Sequence, residues 1–107
     1  MSGIIALALY RPKEGKTEEL KRILHNHIPT LREEVLITER EVIAFQAEDG
    51  TLIEVLEWRS EQAIEQAHQS VKVMAVWDQI GEVAELTSFS TLSEAQHPFP
   101  NFQPVSL

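Results

Sequence analysis

The sequence predicts an α+β fold in the order βαββαβ, and three observations carry that expectation. Every position from Ile4 to Tyr10 is apolar, which reads as a strand buried on both faces. Glu48-Asp49-Gly50 separates two segments rich in β-formers and is a hairpin signal, Asp-Gly being suited to positive backbone angles. Two stretches with apolar residues at helical spacing, one from Thr17 and one from Ser60, each follow a strand.

The first strand spans Gly3 to Arg11, and Pro12 and Gly15 punctuate its end. Thr17 is the expected N-cap of the first helix, with Glu18 and Glu19 favouring its positive end. Leu20, Ile23, Leu24, His27, Ile28 and Leu31 follow as an apolar stripe that includes one imidazole. Pro29 lacks an amide proton, and Thr30 to Glu33 reads as a capping box, so a kink or a fresh short helix is expected there. Glu39 to Ala47 is the second strand and Thr51 to Trp58 the third. Ser60 caps a second helix carrying Ala63, Ile64, Ala67 and His68, with a second cap at Ser70. Val73, Val76, Trp77, Ile80, Val83 and Ala84 extend its buried stripe, and Leu86 to Leu92 is the fourth strand. This is the split βαβ of ferredoxin-like folds: a four-stranded antiparallel sheet with two helices on one face.

Residues 1–92 form the predicted domain, and residues 93–107 a separate tail. Pro98, Pro100 and Pro104 oppose regular structure there, yet Phe99, Phe102, Val105 and Leu107 are costly to leave in water. The tail is therefore expected to dock on the domain or on a dimer partner. Both faces of the first and third strands are apolar (Ile5, Leu7 and Leu9 against Ala6, Ala8 and Tyr10), so the helix-free side of the sheet needs a cover. A second copy, sheet against sheet, is the simplest one.

At 107 residues with 43% hydrophobic content the chain is sized for one core. A net charge of −8 without a basic cluster argues against nucleic acid and anionic membrane as partners. The apolar run at Ile4 is too short to span a bilayer and has no basic region before it, which makes the cytoplasm the expected location. Cysteine is absent, excluding disulfides, thiolate nucleophiles and Cys-ligated zinc.

The candidate site residues lie on several elements. His27 and His68 sit on helical stripes facing the sheet, where each is either a hydrogen-bonded core histidine or a proton-transfer group in a pocket. Glu54 shares a face with Leu52 and Leu56, so its carboxylate needs a partner, Arg40 or Arg32, unless it is a general base. Glu57 lies on the opposite face and reads as an edge or dimer contact. Trp58 and Trp77 either pack the core or stack on a planar ligand. Trp77 comes nine residues after His68, a rotation of about 900° that puts the two on opposite sides of a straight helix. They share a cavity only if the chain breaks near Gln69 to Val71. His27, His68 and Glu54 have no ligand-type spacing, and no Gly-rich phosphate loop or nucleophile elbow is present.

With the βαββαβ order, the Asp-Gly hairpin, and a Trp58-Arg59-Ser60 strand end before a helix bearing His68 and then Trp77, residues 3–92 resemble the antibiotic-biosynthesis-monooxygenase-like family. The resemblance implies a dimeric α/β barrel with a pocket between each sheet and its own helices. It implies a monooxygenase-like oxidoreductase acting on a planar, electron-rich organic substrate without flavin or metal, or a relative without turnover. The haem-degrading branch carries an Asn on the first strand and a Trp and a His on the second helix. This chain has no Asn between Gly3 and Arg11, and Ala67 and Trp77 fall near those helix positions, so haem is disfavoured. On this expectation Trp58, Trp77 and Glu54 bind the substrate. His27 or His68 takes a proton, Arg40 stabilises an oxyanion, and no cofactor is needed. A non-catalytic small-molecule-binding or stress-associated domain is the alternative, and a metal-dependent variant a third.

Overall fold

The computed structural model describes residues 3–107. Strand β1 (Ile4–Pro12) leads into helix α1 (Thr17–Glu33), then the hairpin β2 (Ile43–Gln46) and β3 (Leu52–Trp58). Helices α2 (Glu61–Ala67) and α3 (Val71–Val83) follow, then β4 (Ala84–Leu86), two 3-10 turns at Phe89–Thr91 and Ser93–Gln96, and β5 (Gln103–Pro104). Among the described residues the sheet has five strands in the order β4-β1-β3-β2-β5, all neighbours antiparallel. The first four strands are compatible with a ferredoxin-like arrangement, but five strands and three helices replace the expected four and two.

Several boundaries differ from expectation. Lys16, not Thr17, is the N-cap of α1, and it makes no side-chain cap bond. The helix also continues through Pro29 without a fresh start. Leu20, Leu24, His27 and Leu31 form a single buried stripe, and the burial of that face outweighs the bond Pro29 cannot make. The hydroxyl of Thr30 does not cap a new helix: it donates to the Asn26 carbonyl at 2.6 Å. At the far end, Leu36 N–H bonds to Leu31 O and Val35 N–H to Arg32 O, each at 3.0 Å, the pairing of a Schellman cap. Val35 holds φ +58° there, a strained angle for a β-branched side chain. Strand β2 begins only at Ile43, because the chain before it is occupied by turns around Thr38, Glu39 and Arg40. The fourth strand comes earlier than predicted, directly from the end of α3, and the chain from Phe89 forms a 3-10 turn instead of continuing it.

Other local signals are realised as written in the sequence. Gly50 adopts φ +95° in the β2–β3 hairpin, with Asp49 Oδ1 accepting from Thr51 N–H at 2.9 Å. Ser60 and Ser70 each accept a hydrogen bond from the backbone N–H three residues on, at 3.1 and 3.2 Å, so the second helix is broken between Ala67 and Val71.

Helices α1 and α3 pack together over one face of the sheet, enclosing Tyr10, Leu20, Leu24, Leu52 and Ile80. A second cluster lies beneath α2, around Leu31, Leu36, Ile37, Leu56, Ala67 and Val73. The tail covers part of the helix-free face. Leu92, Phe89, Ala95 and Phe102 pack on Leu9, Phe45 and Ile53, with the Phe102 ring 4.7 Å from that of Phe45. It then passes the β2 edge as β5, and Val105 and Leu107 reach the α1–α3 cluster. Phe99 is 86% exposed. The rest of that face, with Ile5, Leu7 and Ile43, is uncovered in this chain.

Candidate functional site

A cavity of about 310 Å³ opens between the helix-bearing face of the sheet and the helices above it. Alternation on β1 turns Ala6, Ala8 and Tyr10 toward it, and β3 adds Leu56 and Trp58. The two alanines leave space where larger side chains would fill the core. His27 enters from α1, His68 from the end of α2, and Trp77, Ile80 and Gly81 from α3. A larger depression of about 530 Å³ by Glu48, Glu94 and Asn101 is an open surface feature without a buried titratable group.

Four side chains at and beneath the cavity are joined in a row. The Trp77 indole N–H donates to His27 Nε2 at 3.0 Å. An indole nitrogen can only donate, so Nε2 accepts and the imidazole carries its proton on Nδ1. Nδ1–H faces Glu54 Oε1 at 2.8 Å, and the Tyr10 hydroxyl donates to the same oxygen at 2.8 Å. Glu54 is fully buried, His27 and Tyr10 nearly so, and Glu54 Oε2 has no hydrogen-bond partner. Arg40 and Arg32 are thus not the partners of this carboxylate, contrary to expectation. A buried carboxylate with one oxygen unpartnered is costly in a stable core, and a carboxylate–imidazole pair beside a cavity is a recurrent arrangement for proton transfer.

Tyr10 is held protonated far above the ordinary phenol range, first by burial and then by the Glu54 carboxylate against it. In the unfolded chain it ionises near about pH 10. Its contribution to stability is therefore complete below that pH and is lost as the pH rises further, at about 1.4 kcal/mol per pH unit. Melting temperatures from pH 9 to 11 are expected to fall more steeply for the wild type than for Tyr10→Phe. Parallel curves would show that the phenol is not confined as described.

The remaining predicted residues divide. His68 and Trp77 do meet, with ring centroids 5.0 Å apart at 67°, because Ser70 interrupts the helix between them. His68 is exposed rather than on a buried stripe, and its Nδ1 is tied to the Ile64 carbonyl at 2.9 Å. Trp58 lines the cavity and also packs against the cluster beneath α2. Arg40 does not approach it: its Nε pairs with Glu57 Oε1 at 3.1 Å, so it cannot serve an oxyanion there. Glu57 also accepts from the Thr38 hydroxyl at 2.7 Å. The Thr38 bond, then that of Arg40, holds its carboxyl below the usual range. Tyr10 is the site residue that sequence reasoning did not single out. The available signal was its place on one strand face with Ala6 and Ala8, two small residues where a core strand ordinarily carries large ones.

Neither protein-family models nor curated proteins give a match to this chain. Among solved structures it is similar to a conserved protein from Methanosarcina mazei Go1, at 21% identity and a TM-score of 0.58 over 81% of this chain and 90% of that one. That likeness concerns the fold, and it agrees with an α+β domain built on an antiparallel sheet. Among the described residues no helix is long and apolar enough to cross a membrane.

Proposed function

We propose that the protein is a small monooxygenase-like oxidoreductase that acts on a planar, electron-rich organic substrate without flavin or haem. The observation that carries this reading is the buried Glu54–His27 pair, whose second ring nitrogen, Nε2, accepts from Trp77 at the cavity wall. A substrate that displaces the indole presents an acidic proton to Nε2. The imidazolium formed is stabilised by Glu54 through Nδ1–H, and Tyr10 keeps the carboxylate in place. Trp58, Trp77 and the alanine floor accept a flat ring. The substrate anion is then the reductant of O2. Where a ring methylene becomes a carbonyl, four electrons leave carbon, one oxygen atom stays on it, and the other leaves as water with the two protons. His68 lines the mouth and supports Trp77.

Oxygen uptake with naphthols, hydroquinones and aryl ketones bearing an acidic ring methylene tests the reading. Consumption with at least one of them is expected, falling by about a hundredfold or more in His27→Ala. A second reading, a non-catalytic binding domain, is favoured by the fact that Nε2 is already satisfied by Trp77. Binding of these compounds with no uptake from any of them selects it.

The reading includes a homodimer, in the manner of a dimeric α/β barrel. Leu7, Val55 and Ile43 are aligned across β1, β3 and β2, and Ile5 lies beside them, on a sheet face free of helices. Ile5, Leu7 and Ile43 are 51%, 47% and 60% exposed, an apolar row that a second copy would cover. An obligate contact of this kind buries on the order of 2,000 Å² or more. Sedimentation is expected to give a dimer at micromolar concentration for the wild type and a monomer for Leu7→Glu. A monomeric wild type removes the dimer from the proposal.

A further inference from the structure

The row Trp77–His27–Glu54–Tyr10 does not treat its members alike. Tyr10, Glu54 and His27 are locked in the core, whereas Trp77 is half-buried, on the first turns after the Ser70 break, with the exposed His68 ring against it. Its indole N–H occupies the single ring nitrogen that the buried pair leaves available. Any ligand that takes the place of the indole and covers Nε2 must itself bring a donor, because Nε2 left bare against an apolar ligand is an unsatisfied acceptor. The second observation concerns charge. Among the described residues no Lys or Arg lines the cavity, and the carboxylate behind its wall has neutral donors on one oxygen and none on the other. An anionic ligand would enter an apolar space against a buried negative charge and lose its hydration without a fixed cation, since the two imidazoles of the lining, His27 and His68, are engaged through Nδ1 by Glu54 and by the Ile64 carbonyl.

The geometry points to Trp77 as a displaceable placeholder on His27: the cavity takes uncharged aromatic molecules whose ring hydroxyl replaces the indole N–H, and turns away aromatic carboxylates and ethers. This names the substrate class of the oxidation reading and, for its catalytic meaning, rests on it. The recognition rule itself is a matter of binding alone. A phenolic hydroxyl is a stronger donor than an indole N–H, so exchange at Nε2 is favourable when the ring is also sandwiched by Trp58 and the alanine floor.

The test uses the full chain, labelled with nitrogen-15 and kept free of oxygen, and three probes of one shape: 2-naphthol, 2-methoxynaphthalene and 2-naphthoate. The chain has two tryptophans, so its spectrum shows two indole N–H signals, which Trp77→Phe assigns. Saturation with 2-naphthol is expected to move the Trp77 signal, with affinity more than about tenfold above that for either other probe. Trp77→Phe, which empties Nε2 in advance, is expected to bind 2-naphthol more tightly than the wild type. The inference is overturned if 2-naphthoate or the ether binds within about tenfold of 2-naphthol, if the Trp77 signal stays put at saturation, or if no probe binds at millimolar concentration. Because no oxygen is present, a naphthol-selective cavity that later shows no oxygen uptake sinks the oxidation reading and leaves this one standing.

Discussion

Replacing Glu54 with alanine is expected to lower stability by about 2–4 kcal/mol, a large share of the 5–15 kcal/mol that holds a domain together. The substitution leaves the Tyr10 hydroxyl and His27 Nδ1–H, both buried and both bonded to Glu54 Oε1 at 2.8 Å, without an acceptor. It also opens a void in a fully buried position. Glu54→Gln is the informative companion. Its carbonyl oxygen can accept the same two bonds, but its NH2 takes the place of the partnerless Oε2 and is itself a buried donor without an acceptor. The loss is therefore expected to be about 1–3 kcal/mol and below that of alanine, which also leaves a void. The neutral amide no longer stabilises an imidazolium, however, so any proton transfer by His27 is expected to fall by about a hundredfold or more. Thermal denaturation reads the first effect and steady-state oxygen uptake the second. If Glu54→Gln is as destabilised as Glu54→Ala, the carboxylate is a structural element and the separation of roles fails.

This contrast also explains what was legible in the chain. Element order, the Asp49-Gly50 turn and the breaks at Ser60 and Ser70 are local properties, encoded by backbone preferences and side-chain caps within a few residues. The Ser70 break carried further than local structure, because it allowed His68 and Trp77 to meet. Glu54 was recognisable as a carboxylate on an apolar face. Its partners were not, since Tyr10 is 44 residues away and His27 is 27. Both reach it only through the β1–β3 register and the packing of α1. Arg40 was the nearest cation by hairpin arithmetic, but turns around Thr38 turn it to Glu57 instead. The unbroken α1 shows the same hierarchy, with its buried stripe prevailing over the local signals of Pro29 and Thr30.

Removing residues 94–107 is expected to be as damaging as the Glu54→Ala change, for a purely apolar reason. Phe102 packs on Phe45 and Phe89, and Val105 and Leu107 close the edge of the α1–α3 cluster. Truncation returns these side chains to water and uncovers Ile53 and Leu9, which are 0% and 5% exposed in the intact chain. A fully buried apolar side chain contributes about 1.5–3 kcal/mol, so partial burial of three suggests about 3 kcal/mol in all. For a domain of this size the melting temperature falls by about 15 °C. Point changes resolve the origin of the effect. Phe102→Ala is expected to reproduce a large part of the loss, and Phe99→Ala none of it, since Phe99 is 86% exposed. The three prolines matter here as well, because they reduce the freedom the tail gives up when it docks. If Phe99→Ala lowers stability as much as Phe102→Ala, and does so only at concentrations where the protein is dimeric, then Phe99 is a contact to the second copy and the tail joins the two sheets. If truncation changes neither the melting temperature nor the sedimentation, the packing of Phe102 on the sheet contributes nothing to the stability of the fold.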